Sequence, residues 1–218
     1  MATTWRGTAA GRGAELAGLL RLTRTALDEA TSALVEGEPV VSTTLLATEK
    51  ALRAVRRGIE VHVAEVESEA WARMRVGDRP FGAAVREIVA QVQVNASVEV
   101  MADLVRQVAD IAHSRLGRPA IPERLLELQR EMDRRCAVLL DAAADALETG
   151  AAPDMVRVIA TFNEVGRMQL AMLEECGDVE LEAALDATLA GRLYERITEQ
   201  LVSVARQARL LADAAECG

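Results

Sequence analysis

Apolar residues recur along the chain with the spacing of α-helices rather than of strands. One stripe repeats every three or four residues near the end of the chain, and it comprises Leu193, Ile197, Leu201, Val204, Ala208 and Leu211. A second stripe comprises Leu16, Leu19, Leu20, Thr23, Leu27 and Ala30, and a third comprises Val85, Ile88, Val89 and Val92. This spacing places each set on one face of a helix. It predicts helices that bury these faces in the core of a bundle.

Glycine and proline divide the helical pattern into six segments. Glycine accepts the left-handed conformation at the end of a helix, and proline suits the start because its missing N–H is not needed there. Four breaks combine the two residues, and Asp178 is predicted to cap the helix after the fifth break, at Gly177. The predicted helices cover 14–36, 40–75, 82–116, 122–149, 153–176 and 179–214. The sequence therefore predicts an all-α protein of six long helices.

The last three segments repeat the first three. Asp28 aligns with Asp141 at an offset of 113 residues within two similar stretches, and near the end of each copy Glu99 aligns with Glu195 at an offset of 96. An internal repeat of this kind predicts a pseudo-symmetric molecule in which each copy makes its own core. The copies are predicted to be two tandem three-helix bundles, residues 1–117 and 118–218.

Composition and charge narrow the function classes. Half of the residues are hydrophobic but only 2% are aromatic, which argues against a β-sandwich or barrel. The net charge of −9 disfavours binding to nucleic acids and to anionic membrane surfaces. We expect neither a signal peptide nor membrane insertion, because no apolar run reaches about 20 residues. Three scattered cysteines form no CxxC pair, which fits a reducing cytoplasm.

Two pairs of carboxylates are candidate functional residues, Glu99 with Asp103 and Glu195 with Glu199. Residues four apart share a helix face about 6 Å apart, so their like charges repel unless a cation lies between them. A divalent or iron ion with oxygen ligands is one candidate cation. The other is arginine, and the arginines near these faces are Arg106, Arg192, Arg206 and Arg209. Spacing alone favours a solvated helix face paired with arginine.

A di-iron bundle and a nucleophilic enzyme are weaker candidates. Asp110 and His113 have the carboxylate–histidine spacing of a di-iron helix, but a ferritin-like site needs that motif twice. The matching positions of the second copy hold Arg206 and Arg209. No serine or cysteine lies in a glycine elbow, so we predict no catalytic residue. A metal-storage protein or metal-dependent oxidase of ferritin type remains the alternative to a binding protein.

With these features the sequence resembles the PhoU family, the regulators of bacterial phosphate uptake. The stretch from Pro80 to Arg86 is similar to the family's Gln-Pro…Asp-Leu-Arg segment, and Glu99-Val-Met-Ala-Asp103 matches its Glu-x-x-x-Asp signature. In the second copy, Glu195-Arg196-Ile197-Thr-Glu199 resembles Glu-Arg-Ile-Gly-Asp, with Glu199 in place of the aspartate. Arg86 and Arg196 are therefore the motif arginines. The likeness extends over nearly the whole chain, because the length, the positions of the helix breaks and the internal repeat all agree with the family.

The resemblance implies a cytoplasmic negative regulator that works by protein–protein contact and performs no reaction. Its implied partners are the phosphate ABC transporter ATPase and a sensor histidine kinase, and a homodimer is expected by analogy. Some members bind multinuclear metal clusters with carboxylates from the second and third helices. That property implies Glu99, Asp103, Glu195 and Glu199 as metal ligands here. The second helices depart from the pattern, because Arg53 follows Glu49 and Arg167 follows Glu164.

Overall fold

The computed structural model describes residues 2–37, 43–74, 81–118 and 120–216, and these form six α-helices with no strand among them. The helices are α1 (Ala2–Glu36), α2 (Thr43–Met74), α3 (Phe81–Ser114), α4 (Glu123–Thr149), α5 (Met155–Glu174) and α6 (Leu181–Glu216). The all-α prediction is confirmed. Five of the helices match their predicted bounds to within three residues, whereas α1 begins at Ala2 rather than at residue 14. Glycines near the start of the chain do not interrupt this helix.

Three of the five glycine breaks act as the sequence predicts, whereas Gly177 is not among the glycines with a positive φ angle and the break at Gly77 lies outside the described residues. Gly37, Gly117 and Gly150 have φ angles of 71°, 81° and 71°, the left-handed conformation that ends a helix. The predicted cap on α6 is wrong, because Glu180 rather than Asp178 accepts the N–H of Ala183, at 3.1 Å. The Asp178 carboxylate is instead 2.7 Å from a guanidinium nitrogen of Arg124.

The helices form two sets of three that dock against each other. Within each set, α1–α3 and α4–α6, every helix contacts the other two. The sets meet through α1 against α4 and α3 against α6, so that these four helices surround a common centre with α2 and α5 outside. The buried apolar side chains form one cluster with members from both sets. This differs from the expectation of one core per copy, because the docked faces are themselves apolar. The domain boundary at residue 117 stays a prediction.

The contact between α1 and α4 is antiparallel and carries its own ion pairs. Arg24 Nη1 is 2.5 Å from Asp28 Oδ2, and its Nε is 3.2 Å from Asp141 Oδ2. These two aspartates are the residues aligned by the 113-residue repeat, so one guanidinium lies between equivalent positions of the two copies. One end of the contact is extended by Arg21, which binds Asp145 and Glu148.

A buried polar chain crosses the centre of the molecule. Tyr194 of α6 is fully buried, and its hydroxyl lies 2.8 Å from Thr31 Oγ1 on α1. Thr31 in turn donates to Asp133 Oδ1 on α4 at 3.1 Å, so the tyrosine hydroxyl donates to the threonine oxygen. The pKa of Asp133 is raised to about 6, first by burial and then by the nearby charge of Asp28. This chain fixes the position of α6, and with it the adjacent Glu195.

The apolar stripe predicted for the start of α3 is not in the core. Val85, Val89 and Val92 are 36%, 47% and 45% exposed, whereas Val94 and Val98 are completely buried. The prediction that this stripe faces inward is therefore wrong for its three valines, whereas Ile88 is partly buried. Its spacing is helical, but α3 carries valine on more than one side, and periodicity alone does not choose the buried side.

By length and composition alone, α3 also meets the requirements for a membrane-spanning helix. Its segment Val85–Ser114 contains an 18-residue window of mean hydropathy 1.2, although we expected no such segment from the sequence. In the folded protein 56% of that window is buried against the other helices. Core helices of bundles pass the same test of length and hydropathy.

Replacing Gly13 with alanine should destabilise the protein, because α1 approaches the backbone of α4 closely there. An added Cβ would collide with the backbone carbonyl oxygen of Leu147, which does not move independently of α4. We expect Gly13→Ala to lower the free energy of unfolding by about 1–3 kcal/mol in urea titrations. Gly18→Ala is the matched control on the same helix, since no atom lies within 4 Å of its added Cβ. It should be neutral or stabilising by up to about 1 kcal/mol. Equal effects of the two variants would contradict the close approach.

Replacing Asp133 with asparagine should change how stability depends on pH. The pKa of this carboxyl is about 6 in the folded protein and 3.8 ordinarily, so the folded state binds its proton more tightly. Its contribution to stability is complete below about pH 4 and is lost as the pH rises through 6. Asp133→Asn removes that loss and should be more stable than the parent at pH 8 by about 1–3 kcal/mol, with little difference at pH 4.

The matched control for this experiment is Glu127→Gln, an exposed acid on the same helix. Urea unfolding followed by circular dichroism between pH 4 and pH 8 gives the comparison. Glu127→Gln should keep the pH slope of the parent protein. An unchanged slope in Asp133→Asn would show that this carboxyl does not carry the pH dependence.

Candidate functional site

The first carboxylate pair lies on the side of α3 that faces α2, and an arginine joins the two helices there. Asp103 is an exposed side chain whose Oδ1 is 3.0 Å from Arg106 Nη2, one turn further along α3. The same Nη2 is 3.1 Å from Glu49 Oε1 on α2. Glu99 is partly buried and accepts a hydrogen bond from Asn95 Nδ2 at 3.0 Å. The favoured interpretation, an arginine-paired face, matches this geometry.

The second carboxylate pair lies on α6, and its first member, Glu195, is also paired with arginine. Glu195 is the more buried of the two, with 18% of its side chain exposed, and it forms an ion pair with Arg192 one turn earlier. Glu199 is exposed. On the opposite side of α6, Leu193, Ile197 and Leu201 are buried, as the stripe predicts. The repeat is not reproduced in detail, because here the arginine bonds within its own helix.

In the second copy, the carboxylate on the second helix also forms an ion pair with an arginine. Glu164 on α5 has its Oε2 3.3 Å from Arg135 Nη1 on α4, and Arg135 Nε is also 2.8 Å from Glu131 Oε1. Glu164 is thus drawn toward α4. Gly166 on α5 lies close to Glu195, since a Cβ added there would be 3.9 Å from Glu195 Oε1.

The structure does not bring the predicted metal ligands together as one set. Glu99 and Asp103 lie between α2 and α3, whereas Glu195 and Glu199 lie on α6 on the side of α5. Within the described ranges, no group of three or more histidine, cysteine, aspartate and glutamate side chains is arranged to hold a metal ion. The metal assignment of these four residues stays a prediction.

The remaining candidates of the sequence lie on the surface. Asp110 and His113 are both exposed, near the end of α3. The motif arginines Arg86 and Arg196 are exposed as well, and their role stays a prediction. Arg209 lies near Asp213 at 3.9 Å rather than near Glu195.

A cleft of about 900 Å³ runs between α5 and α6, next to the second carboxylate pair. Its apolar lining includes Phe162, Leu170 and Leu173, of which the two leucines are 60% and 52% exposed. Its polar lining comprises Asn163, Glu164, Arg167, Gln169, Arg192 and Glu195. Unlike Arg192, Arg167 forms no ion pair within the part of the chain that the structure describes. The cleft therefore combines aliphatic walls with an unpaired cation.

A glycine next to this cleft allows α6 to pack closely on α5. Gly191 of α6 lies against Gln169 of α5, whose side-chain oxygen would collide with any added Cβ, and Met172 Sδ would be 2.9 Å away. Gln169 is 7% exposed and donates from Nε2 to the carbonyl of Thr188 at 3.3 Å. Its Oε1 has no hydrogen-bond partner among the described residues. A buried acceptor between α5 and α6 is thus left without a hydrogen bond among the described residues.

Both copies expose aliphatic side chains along the start of the third helix. We call these the third-helix strips, Val85, Val89 and Val92 on α3 and Leu181, Leu185 and Leu189 on α6. The leucines are 70%, 52% and 55% exposed, and the 96-residue offset aligns Leu181 and Leu185 with Val85 and Val89. Sequence analysis missed the cleft and placed the first strip in the core. The sequence signal for the strip on α6 was the spacing of Leu181, Leu185 and Leu189, which recur every four residues.

Comparisons with known proteins agree on one family. No family model matches the chain. Two curated relatives, from Mycobacterium bovis and Mycobacterium tuberculosis, are named phosphate-specific transport system accessory protein PhoU homolog 2. Each is 24% identical over 186 residues, which cover 84% of this chain and 84% of the relative.

A solved structure has a similar fold. The crystal structure of PhoU from Pseudomonas aeruginosa matches with a TM-score of 0.77, covering 96% of this chain and 99% of that chain. Its sequence identity is 16%, so this likeness shows the fold. The two relatives in sequence, and this crystal structure in fold, thus support the resemblance to the PhoU family that the carboxylate motifs of the third helices predict.

Proposed function

We propose that the protein is an accessory regulator of phosphate uptake that acts by contact with other proteins and performs no reaction. The names of the mycobacterial relatives and the shared fold support a role in phosphate transport. The observation that carries the mode of action is the exposed aliphatic surface around the cleft between α5 and α6. The proposed partners are the ATPase of the phosphate ABC transporter and a sensor histidine kinase, and the proposed effect is negative regulation in the cytoplasm.

The cleft is suited to a helix of the partner ATPase. Leu170 and Leu173 on one wall and Leu185 and Leu189 along the neighbouring helix are each at least half exposed. Burying such side chains stabilises a complex by roughly 1.5–3 kcal/mol for each one fully buried. A partner helix with apolar residues at positions i, i+3 and i+7 would cover them.

Charge specifies the partner further. Arg167 lines the cleft without an ion pair within the described ranges, although the chain as a whole is acidic at −9. We therefore assign an amphipathic segment with at least one carboxylate to this surface, because the carboxylate would pair with Arg167. Charge complementarity of this kind guides the orientation of a partner more than it raises affinity.

The two third-helix strips supply two equivalent surfaces on one regulator. In this proposal the α6 strip and the cleft bind the ATPase, and the α3 strip is available to the kinase. The regulator would then hold the signalling kinase and the transporter together when phosphate is plentiful. A homodimer is also proposed, by analogy with the family.

Deleting the gene should raise the output of a phosphate-responsive reporter at high phosphate, because the negative regulator is lost. The parent gene should restore repression, whereas Leu173→Asp should fail to do so. Placing a charge among the exposed leucines is expected to weaken partner binding roughly 10–100-fold, since each buried leucine contributes about 1.5–3 kcal/mol. The measurement is reporter activity at equal levels of each variant in the cell.

The matched control is Leu210→Asp, which places the same charge at a leucine of α6 that is 57% exposed and outside the cleft lining. Leu210→Asp should restore repression. A photo-crosslinking residue at position 173 should also capture the ATPase in cells. No derepression on deletion would contradict the regulatory role, and full repression by Leu173→Asp would contradict the docking surface.

A further inference from the structure

The side of α3 that faces α2 already holds a cation. The Nη2 atom of Arg106 lies 3.0 Å from Asp103 Oδ1 and 3.1 Å from Glu49 Oε1, so a guanidinium fills the gap between the two helices. Metal clusters of the kind implied by the family resemblance draw their carboxylates from these same two helices. Glu49 is further approached by Arg53 Nη1 at 3.7 Å, and Glu99 accepts a hydrogen bond from Asn95. Each of the three carboxylates therefore has a partner from the chain itself.

In the second copy arginines also occupy the place of a metal ion, but they come from different positions. Glu195 is paired with Arg192 of its own helix, and Glu164 is paired with Arg135 of α4. At Gly166, which lies on α5 close to Glu195, there is no side chain to supply a ligand. The carboxylates described in the two copies are thus placed to pair with arginine, and they do not supply the ligands of a metal cluster.

We infer that Arg106 and Arg192 are built-in cations that replace metal ions on the third-helix carboxylates of this protein. The charge of a guanidinium is permanent at physiological pH, and its forked donors match carboxylate oxygens. A divalent ion placed beside Asp103 would lie next to that positive charge and would lose the oxygen ligands that Arg106 occupies. Magnesium requires near-octahedral oxygen ligation and calcium six to eight oxygens, which these residues do not offer.

This inference does not depend on the proposed partners. It assigns a structural purpose to the arginines that separate this chain from the carboxylate-rich pattern of its family. The carboxylate faces then carry the same charge whatever the supply of metal. Any response of this protein to phosphate is accordingly independent of metal occupancy on α3 and α6.

The test uses the full-length protein stripped with a chelator and melted with and without millimolar Mg²⁺ or Mn²⁺. The parent protein should show no shift in Tm with either ion. Arg106→Ala should melt at a lower temperature in chelator and should recover by at least about 3 °C with Mn²⁺, because Glu49 and Asp103 are freed to bind it. Arg106→Gln, which keeps the first two methylene groups of the arginine side chain, serves as the second variant if the alanine variant does not fold.

The matched control is Arg53→Ala, which removes only the longer contact to Glu49 and should remain insensitive to both ions. Adding Asp103→Asn to Arg106→Ala should abolish the recovery by Mn²⁺. Elemental analysis of parent protein purified without chelator should find less than one metal ion per ten chains. Stoichiometric metal in the parent protein, a parent Tm that rises with either ion, or an Arg106 variant with no metal response would each overturn the inference.

Discussion

The antiparallel docking of α1 on α4 is the contact on which the arrangement of the molecule depends. It brings the two sets of three helices close enough for Gly13 to lie against the backbone of α4 and for Arg24 to bind aspartates from both copies. The apolar side chains of both sets then merge into one buried cluster. Separating the sets would expose that cluster to water and leave the central polar chain through Tyr194 without partners, and both changes are unfavourable.

The same docking determines which helix faces remain for function. Because α1, α3, α4 and α6 meet at the centre, the outer sides of α3 and α6 are left to face α2, α5 and solvent. On these sides Asp103 and Glu195 are paired with arginines, whereas the aliphatic strips at the starts of the two helices are uncovered. The surface therefore separates into a charge-compensated part and an apolar part. A binding protein benefits from this division, since compensated charge contributes solubility and exposed aliphatic area contributes affinity.

The helices could be predicted from sequence because their ends have local causes, such as glycine in the left-handed conformation at Gly150. The buried side of α3 could not, because the helix is apolar on more than one side and the choice depends on neighbours. Thr31 and Tyr194 are 163 residues apart, so no local pattern indicates their hydrogen bond. The pairing of Asp103 with Arg106 was foreseeable from their spacing. The bridge from Arg106 to Glu49 required knowing how α2 lies on α3.

The central claim is that the two copies share one core and unfold as one unit, and native-state hydrogen exchange tests it most directly. Amide protons in the middle of α1, α3, α4 and α6 should exchange through openings with one common free energy, equal to that of global unfolding. The outer helices α2 and α5 should open at lower free energy. If the amides of α1–α3 exchanged with one free energy while those of α4–α6 stayed protected with another, the copies would be independent bundles and the claim would be contradicted.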